Sequence, residues 1–266
     1  MQEHIAIIGA GNLGIAIAEG LIVSGVVQAT QITLSRRQTY FLDDFATKGC
    51  QVTAQNTEAV AQSDIVVLAV QPKQIVGILQ EIKPVLNPER HILISVITGV
   101  SIADIQQEIG TEFRIARAMP NTAIAIRESM TCIAGKNLPK RDMDMVCEIF
   151  DSVGKTLIIG EELMAAATVL GACGIAFFMR FIRAASQGGI EVGFHAEEAQ
   201  FIAAQTAKGA ASLLLSGNTH PEQEIDKVTT PQGCTIAGLN EMEHNGLSSA
   251  LIKGITTSYK KIATIK

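Results

Sequence analysis

The segment from Ile5 to Ser24 constrains this chain more than any other. An apolar run, Ile5–Gly9, leads directly into Gly9-Ala10-Gly11-Asn12-Leu13-Gly14, and an Ala/Ile/Leu-rich helical pattern continues over Asn12–Ser24. G-x-G-x-x-G placed between a strand and a helix has a physical purpose at each glycine. Gly9 permits the tight turn, Gly11 lets backbone approach a pyrophosphate, and Gly14 lets the helix pack closely on the strand. The free N–H groups of the first helical turn then face the phosphates. A glycine-rich turn that only closes a strand–helix unit is the plainer explanation. The ordered context of strand, spacing and helix favours dinucleotide binding.

The first 160 residues continue in the same alternation. Ile32–Ser35, Ile65–Val70, His91–Val96 and Phe113–Ala118 read as strands, and Thr131–Ala134 and Thr156–Ile159 as two more around a helix at Asp142–Phe150. Strands apolar on both faces and separated by helices imply a mostly parallel sheet covered on both sides. From Glu161 the strand pattern stops. Leu163–Ala185, Ala196–Leu215 and Ile236–Ile262 read as helices, broken at Gly188–Gly189 and around Asn218–Pro221. The expected fold class is α/β, with an N-terminal Rossmann-type doubly wound sheet over 1–160 and an all-helical domain over 161–266. The helical part is small, so it is expected to pack on the first domain and on a second subunit.

The end of the second strand selects the dinucleotide. A carboxylate there holds the ribose hydroxyls of NAD, but the residues are Ser35-Arg36-Arg37-Gln38, with no carboxylate before Asp43. Two guanidiniums beside a hydroxyl suit a 2′-phosphate, because charge-assisted hydrogen bonds contribute about 1.5–3 kcal/mol each. An exposed basic loop is the plainer alternative. NADPH is favoured over NADH.

Composition excludes other classes. Net charge is −5, Trp is absent and aromatics are 4% of the 266 residues, which argues against a nucleic-acid surface. Five cysteines without CxxC spacing suit free thiols in a reducing, cytoplasmic setting, and neither they nor the five histidines show metal-ligand spacing. The uncharged run Leu163–Met179 is short for a membrane span and reads as a buried helix.

The helical half holds one polar segment unlike its surroundings, Asp226-Lys227-Val228-Thr229-Thr230-Pro231-Gln232-Gly233-Cys234-Thr235. Pro231 breaks the preceding element, Gly233 leaves the backbone open, and Cys234 and Thr235 open the next helix. Unpaired N–H groups beside Thr hydroxyls form a site for a small carboxylate. An unliganded helix cap is the alternative.

These residues resemble the pyrroline-5-carboxylate reductase family. Val228-Thr229-Thr230-Pro231-Gln232-Gly233-Cys234-Thr235, then Gly238-Leu239 and Met242-Glu243, follow that family's pattern in this segment. Ala69-Val70-Gln71-Pro72, Gly99-Val100-Ser101-Ile102, Met119-Pro120-Asn121-Thr122, Gln205-Thr206 and Gly209-Ala210-Ala211 extend the resemblance along essentially the whole chain. It implies NADPH-dependent reduction of the cyclic imine Δ1-pyrroline-5-carboxylate to L-proline by a homodimer or larger homo-oligomer. Carried over by position, Gly9 to Gly14, Ser35, Arg36, Asn56, Ala69, Val70, Gln71, Pro72, Ser95, Val96 and Ile97 line the cofactor, with Arg37 beside them. Glu161, Thr230, Gly233, Cys234 and Thr235 surround the substrate, with the Thr235 hydroxyl on the ring nitrogen. Glu161 either orients the ring or caps the helix that begins there.

The chain departs from the family pattern at several positions. Gln232 stands for the first glycine of P-G-G, Lys227 for a neutral amide, and Ala172-Cys173-Gly174-Ile175-Ala176-Phe177 for G-S-G-P-A-Y. Ala123 and Gln71 replace a proline and a lysine, and no Arg follows Gly246. Most of these changes fall near the substrate segment, so two other readings stay open. One is a reductase of a different small imine or carbonyl compound on the same scaffold, and the other is a non-catalytic NADPH-binding sensor. A structural role with a degenerate nucleotide site fits the intact glycine pattern poorly.

Overall fold

The computed structural model describes residues 1–217 and 219–262. The described residues divide into two compact units, one of Met1–Cys173 with residues 259–262, the other of Gly174–Ser258.

The first unit is built on one eight-stranded sheet. Its strands are β1 (Ile5–Ile8), β2 (Ile32–Ser35), β3 (Gln51–Thr53), β4 (Ile65–Leu68), β5 (Ile92–Ser95), β6 (Arg114–Met119), β7 (Ser129–Lys136) and β8 (Gly154–Ile158). The spatial order is β3-β2-β1-β4-β5-β6-β7-β8. The first six strands are parallel, β7 runs antiparallel to β6, and β8 is parallel to β7. Crossing helices α1 (Asn12–Ser24), α2 (Asp43–Thr47), α3 (Asn56–Ala61), α4 (Ile75–Ile82), α5 (Ile102–Ile109) and α6 (Lys140–Asp151) connect them.

Strand alternation sorts the core into two layers. Ile5, Ile7, Ile32, Leu34, Ile65 and Val67 pack on one face with Ile17, Leu21 and Phe150. Ala6, Ile8, Val66, Leu68 and Leu93 pack on the other with Val60, Leu79 and Ile105. The strands are in register, so Ser35, Ile8, Leu68, Ser95 and Arg117 form one row across the sheet near its C-terminal edge. The chain reverses direction of winding between β1 and β4, and loops at that switch point open a crevice for a ligand.

Helix continues from Glu161. A 3-10 turn (Glu161–Leu163), α7 (Met164–Ala167) and a π-helical turn (Thr168–Cys173) lead into α8 (Gly174–Glu191). The π turn has a local cause. The Asn121 side chain donates to the Gly171 carbonyl at 3.2 Å, and Thr168 Oγ1 donates back to the Met164 carbonyl at 2.7 Å, so both compete with the regular ladder. The chain then forms α9 (Ala196–Ser216), α10 (Pro221–Val228), α11 (Cys234–His244) and α12 (Leu247–Ile262).

Three expectations require correction, and two elements had none. Gly188–Gly189 do not break α8; a Cβ on Gly189 would lie 3.0 Å from the Ala199 Cβ, so this glycine serves close helix approach. The predicted helix Ile236–Ile262 is two helices, because Gly246 at φ +79° closes α11 by donating to the Glu243 carbonyl at 2.8 Å. Strand β3 and helix α10 had no expectation; β3 has three residues, too few to alternate visibly, while α10 announces itself by Pro221 in the first turn and the His220–Gln223 capping box. The run Leu163–Met179 is not buried within its own chain, since Leu163, Leu170, Phe178 and Met179 are all more than half exposed. The continuous helical run Glu161–Glu191 is long and apolar enough to cross a membrane by length and composition. Of the expected break around Asn218–Pro221, Asn218 itself lies outside the described residues.

Candidate functional site

The glycines of the β1–α1 turn have distinct mechanical roles. Gly9 adopts φ +87°, and a Cβ there would collide with the Val70 side chain and lie 2.9 Å from the Ala69 carbonyl oxygen. A Cβ on Gly14 would press on the Gly9 carbonyl and the Ile7 side chain at 3.0 and 3.1 Å. Gly11 is different: the nearest atom to its Cβ position is 3.9 Å away, so the chain itself does not demand glycine there. The turn is pinned by Gly9 and Ala10 N–H groups donating to the Ser35 carbonyl at 3.1 and 2.9 Å. Gly11 caps α1 without any side-chain hydrogen bond, and the first turn carries no acidic residue, so the Asn12, Leu13 and Gly14 end of the helix is left open to an anion. A cradle needing no side chain, open space at Gly11 and an uncapped helix start fit a dinucleotide diphosphate.

Three further segments meet this turn along the sheet's C-terminal edge. After β2, Ser35 is buried and its hydroxyl donates to Asn56 Oδ1 at 2.6 Å, while Asn56 Nδ2 donates to Glu81 Oε2 at 2.9 Å. Arg36 Nη1 donates to the Ala10 carbonyl at 3.3 Å, and its guanidinium carbon lies 4.1 Å from the centroid of the Phe41 ring. The guanidinium is thus held over the glycine turn by a carbonyl and an aromatic face. Arg37 is exposed and makes no ion pair among the described residues. After β4, the Ala69 N–H donates to the Ile8 carbonyl at 2.8 Å, and Val70, Gln71 and Pro72 follow beside Gly9. After β5, buried Ser95 Oγ accepts from the Ile97 N–H at 3.4 Å, with Val96 and Ile97 buried behind it.

Glu161 also belongs to this unit, and its contacts are not those of a cap on the helix that begins at residue 161. Its Oε1 accepts from the Ile102 N–H at 2.6 Å and pairs with Arg117 Nη1 at 3.3 Å. The helix it meets is α5, not the one that begins at residue 161. Arg117, beside Ser95 in the strand row, is the residue that sequence reasoning missed. Its signal was a second charge, after Arg114, inside the otherwise apolar strand Phe113–Ala118. Phe41 was also missed, and nothing in its sequence context ties it to Arg36.

The second unit brings Thr230, Gly233, Cys234 and Thr235 together at the start of α11. The Gly233 N–H donates to the Thr230 carbonyl at 2.9 Å, closing a turn with Pro231 and Gln232 at its centre. Gln232 takes φ +59°, a left-handed conformation that favours glycine. A Cβ on Gly233 would lie 2.5 Å from Thr230 Oγ1, so glycine is required for this close approach. Gly233 caps α11 with no side-chain hydrogen bond, and no acidic residue occupies the first turn. The helix therefore offers N–H groups next to the hydroxyls of Thr230 and Thr235 and the exposed Cys234 thiol. Lys227 pairs with Glu224 at 2.6 Å, and that ammonium, with a hydrogen bond from Thr219, holds the Glu224 carboxyl below its usual range. Among the described residues no group of three or more His, Cys, Asp or Glu side chains gathers as a metal site.

Comparison with known proteins covers both units. Residues 161–265 match the family model for pyrroline-5-carboxylate reductase dimerisation, and residues 4–99 match that for NADP oxidoreductase, coenzyme F420-dependent. The chain is 49% identical over 99% of its length to pyrroline-5-carboxylate reductase 1 of Dictyostelium discoideum, of which it spans about half (50%). It is 46% identical over 98% of its length to pyrroline-5-carboxylate reductase 2 of the same organism, covering 92% of that protein. Among solved structures, a pyrroline-5-carboxylate reductase from Coxiella burnetii superposes with a TM-score of 0.93 at 28% identity, covering 100% of this chain and 99% of that one. The Plasmodium falciparum pyrroline carboxylate reductase with NADP bound gives 0.89 at 25% identity, covering 99% and 98%.

Proposed function

The chain belongs to the pyrroline-5-carboxylate reductase family, and we propose that it reduces Δ1-pyrroline-5-carboxylate to L-proline with NADPH. The observation that carries this reading is the 46% identity spread over 98% of the chain, because it runs through both glycine-capped helix starts. NADPH, when bound, supplies a hydride for the imine carbon, and one proton on nitrogen completes the change from C=N to CH–NH.

The chain's own residues bind, orient and protonate. The turn Gly9–Gly14, with Ala10 ahead of the helix and Asn12 and Leu13 in its first turn, takes the diphosphate. Ser35, Arg36, Arg37 and Asn56 take the 2′-phosphate end, for which the stacking of Arg36 on Phe41 is a preformed support. Ala69 to Pro72 and Ser95 to Ile97 form the two loops flanking the remainder of the cofactor. The N–H groups at Gly233–Thr235, with Thr230, hold the substrate carboxylate, and Cys234 lines that pocket. Thr235 donates its hydroxyl to the ring nitrogen and relays the proton, while Glu161 orients the ring. Holding a small imine in one pose contributes much of the rate, since no covalent step is required.

The functional form is a homodimer or larger homo-oligomer built through the helical region. The five free cysteines suit a reducing, cytoplasmic setting. Gln232 and Lys227 support a second reading, a reductase of another small imine, because both change the surroundings of the substrate segment.

The test is NADPH oxidation at 340 nm with Δ1-pyrroline-5-carboxylate and proline identified by mass spectrometry. Stoichiometric proline is expected; tight NADPH binding without turnover moves the assignment to the second reading. Thr235→Val is expected to lower kcat/KM about 100-fold with NADPH affinity retained. An unchanged kcat/KM removes Thr235 from the proton path.

A further inference from the structure

The sequence places no carboxylate between the end of β2 and Asp43, yet the fold delivers one there from a later helix. Glu81 Oε2 accepts from Asn56 Nδ2 at 2.9 Å, and Asn56 Oδ1 accepts from the Ser35 hydroxyl at 2.6 Å. The last residue of β2, the first of α3 and a residue of α4 thus form one hydrogen-bonded chain inside the first unit.

Helix stability does not explain Glu81. It sits in the last turn of α4 (Ile75–Ile82), where the macrodipole disfavours a negative charge. It is exposed, and no Lys or Arg pairs with it among the described residues. A residue placed against a local preference, without a compensating ion pair, persists where it has a task.

The hydrogen-bonded chain also has a direction. A carboxylate accepts hydrogen bonds and donates none. The Asn56 amide nitrogen must therefore face Glu81, its oxygen must face Ser35, and the Ser35 hydroxyl must donate. Ser35 is buried and its hydrogen is committed to Asn56. The groups left to donate to a phosphate at this end are Arg36, Arg37 and the second N–H of Asn56 Nδ2. Against them stands the anion that closes the chain. The guanidiniums attract a 2′-phosphate, whereas a carboxylate repels one and suits a ribose hydroxyl.

We propose that Glu81 is a specificity-determining residue for the cofactor. It orients the Asn56 amide and sets a negative charge against the 2′-phosphate, so the preference for NADPH over NADH is smaller than Arg36 and Arg37 alone would give. This rests on the assignment of Ser35, Arg36 and Asn56 to the 2′-phosphate end under the proposed function. Glu81 acts through Asn56 and through its charge, without touching the cofactor.

The test is fluorescence titration of the full chain, in its assembled state, with NADPH and with NADH. Glu81→Gln is expected to lower the NADPH Kd about three- to tenfold and to leave the NADH Kd within about twofold. Glu81→Lys is expected to lower the NADPH Kd further. The gain is expected to shrink between about 50 mM and about 500 mM salt, because an exposed charge is screened. Both variants are expected to melt at or above the native temperature, since each removes a negative charge from a helix C-terminus. An unchanged ratio of the two Kd values in both variants overturns the proposal. Equal weakening of NADPH and NADH also overturns it, because Glu81 would then only support the fold around Asn56. Arg36→Gln, titrated in parallel, separates the two levels of the argument. A shifted ratio in Arg36→Gln with none in the Glu81 variants ends this proposal and leaves the 2′-phosphate assignment standing. An unshifted ratio in all three variants ends both.

Discussion

In the first unit, Ile5, Ile7, Ile32, Leu34, Ile65 and Val67 have no solvent exposure, and helices cover both faces of the sheet that carries them. In the second, Phe178, Phe181, Phe201, Leu213 and Leu215 are each half or more exposed, and Ala199 is the one buried hydrophobic residue described between Gly174 and Ser258. Leaving a large apolar side chain in water forgoes about 1.5–3 kcal/mol. A parallel sheet closes its core with its own crossover helices. A short set of helices with apolar residues on outer faces does not. Residues 161–265 match a dimerisation model, and exposed apolar faces of this kind suit a core that a second copy would complete.

The largest expected effect breaks that comparison directly. Phe178→Asp and Phe201→Asp are each expected to convert the assembly to monomer by light scattering and to abolish measurable reduction. Val76→Asp, at an exposed apolar position on α4 of the sheet unit, is expected to leave both unchanged. Assembly retained in both phenylalanine variants would mean that these faces are not the interface.

Next in size are substitutions in the β1–α1 turn. Gly9→Ala is strained by its positive φ and collides with Val70, so a loss of about 1–3 kcal/mol of stability and of NADPH binding is expected together. Gly11→Ala has room within the chain, so its thermal stability is expected to stay native while NADPH Kd rises. Comparison of melting curves with NADPH titrations separates the glycine needed by the fold from the glycine needed by the ligand. Equal destabilisation by both would merge the two roles. Arg36→Gln follows, with a fall in preference for NADPH over NADH of about 10- to 100-fold, read as the ratio of the two Kd values. An unchanged ratio would move the choice of cofactor away from Arg36.

Legibility from sequence follows the same division. The sheet unit repeats local rules, so Asn12–Ser24 and Ile32–Ser35 were readable to the residue, and other strands to within a few. Edge strand β3 escaped because Gln51–Thr53 is held by its neighbour β2 rather than by a pattern of its own. In the helical unit, Gly188 and Gly189 looked like a break because sequence shows glycine's low helix propensity but not Ala199 packing against it. The site divides similarly. The glycine turn and the Thr230–Thr235 segment are contiguous motifs and were visible. Arg117 lies 44 residues from Glu161, and only the fold brings the pair together. The expectation that Leu163–Met179 is buried failed because a sequence states that a face is apolar without stating which chain covers it.

The smallest expected effect concerns the two glycine-capped helix starts. The turn before α1 places glycine at its left-handed residue, Gly9, whereas the turn before α11 places Gln232 at φ +59°. A side chain there costs about 1–2 kcal/mol, and returning glycine gives back about 0.4–1 kcal/mol through the freer unfolded chain. Gln232→Gly is therefore expected to stabilise by about 0.5–1 kcal/mol, a rise in Tm of about 2 °C for a chain of this size. Gln232 is exposed, and its side chain makes no hydrogen bond among the described residues, so KM for the imine is expected to stay within twofold. A higher Tm with KM raised fivefold or more would give a different meaning to the same strain. The side chain would then be retained for a contact with substrate, and the second helix start would differ from the first in how it reads its ligand as well as in its backbone.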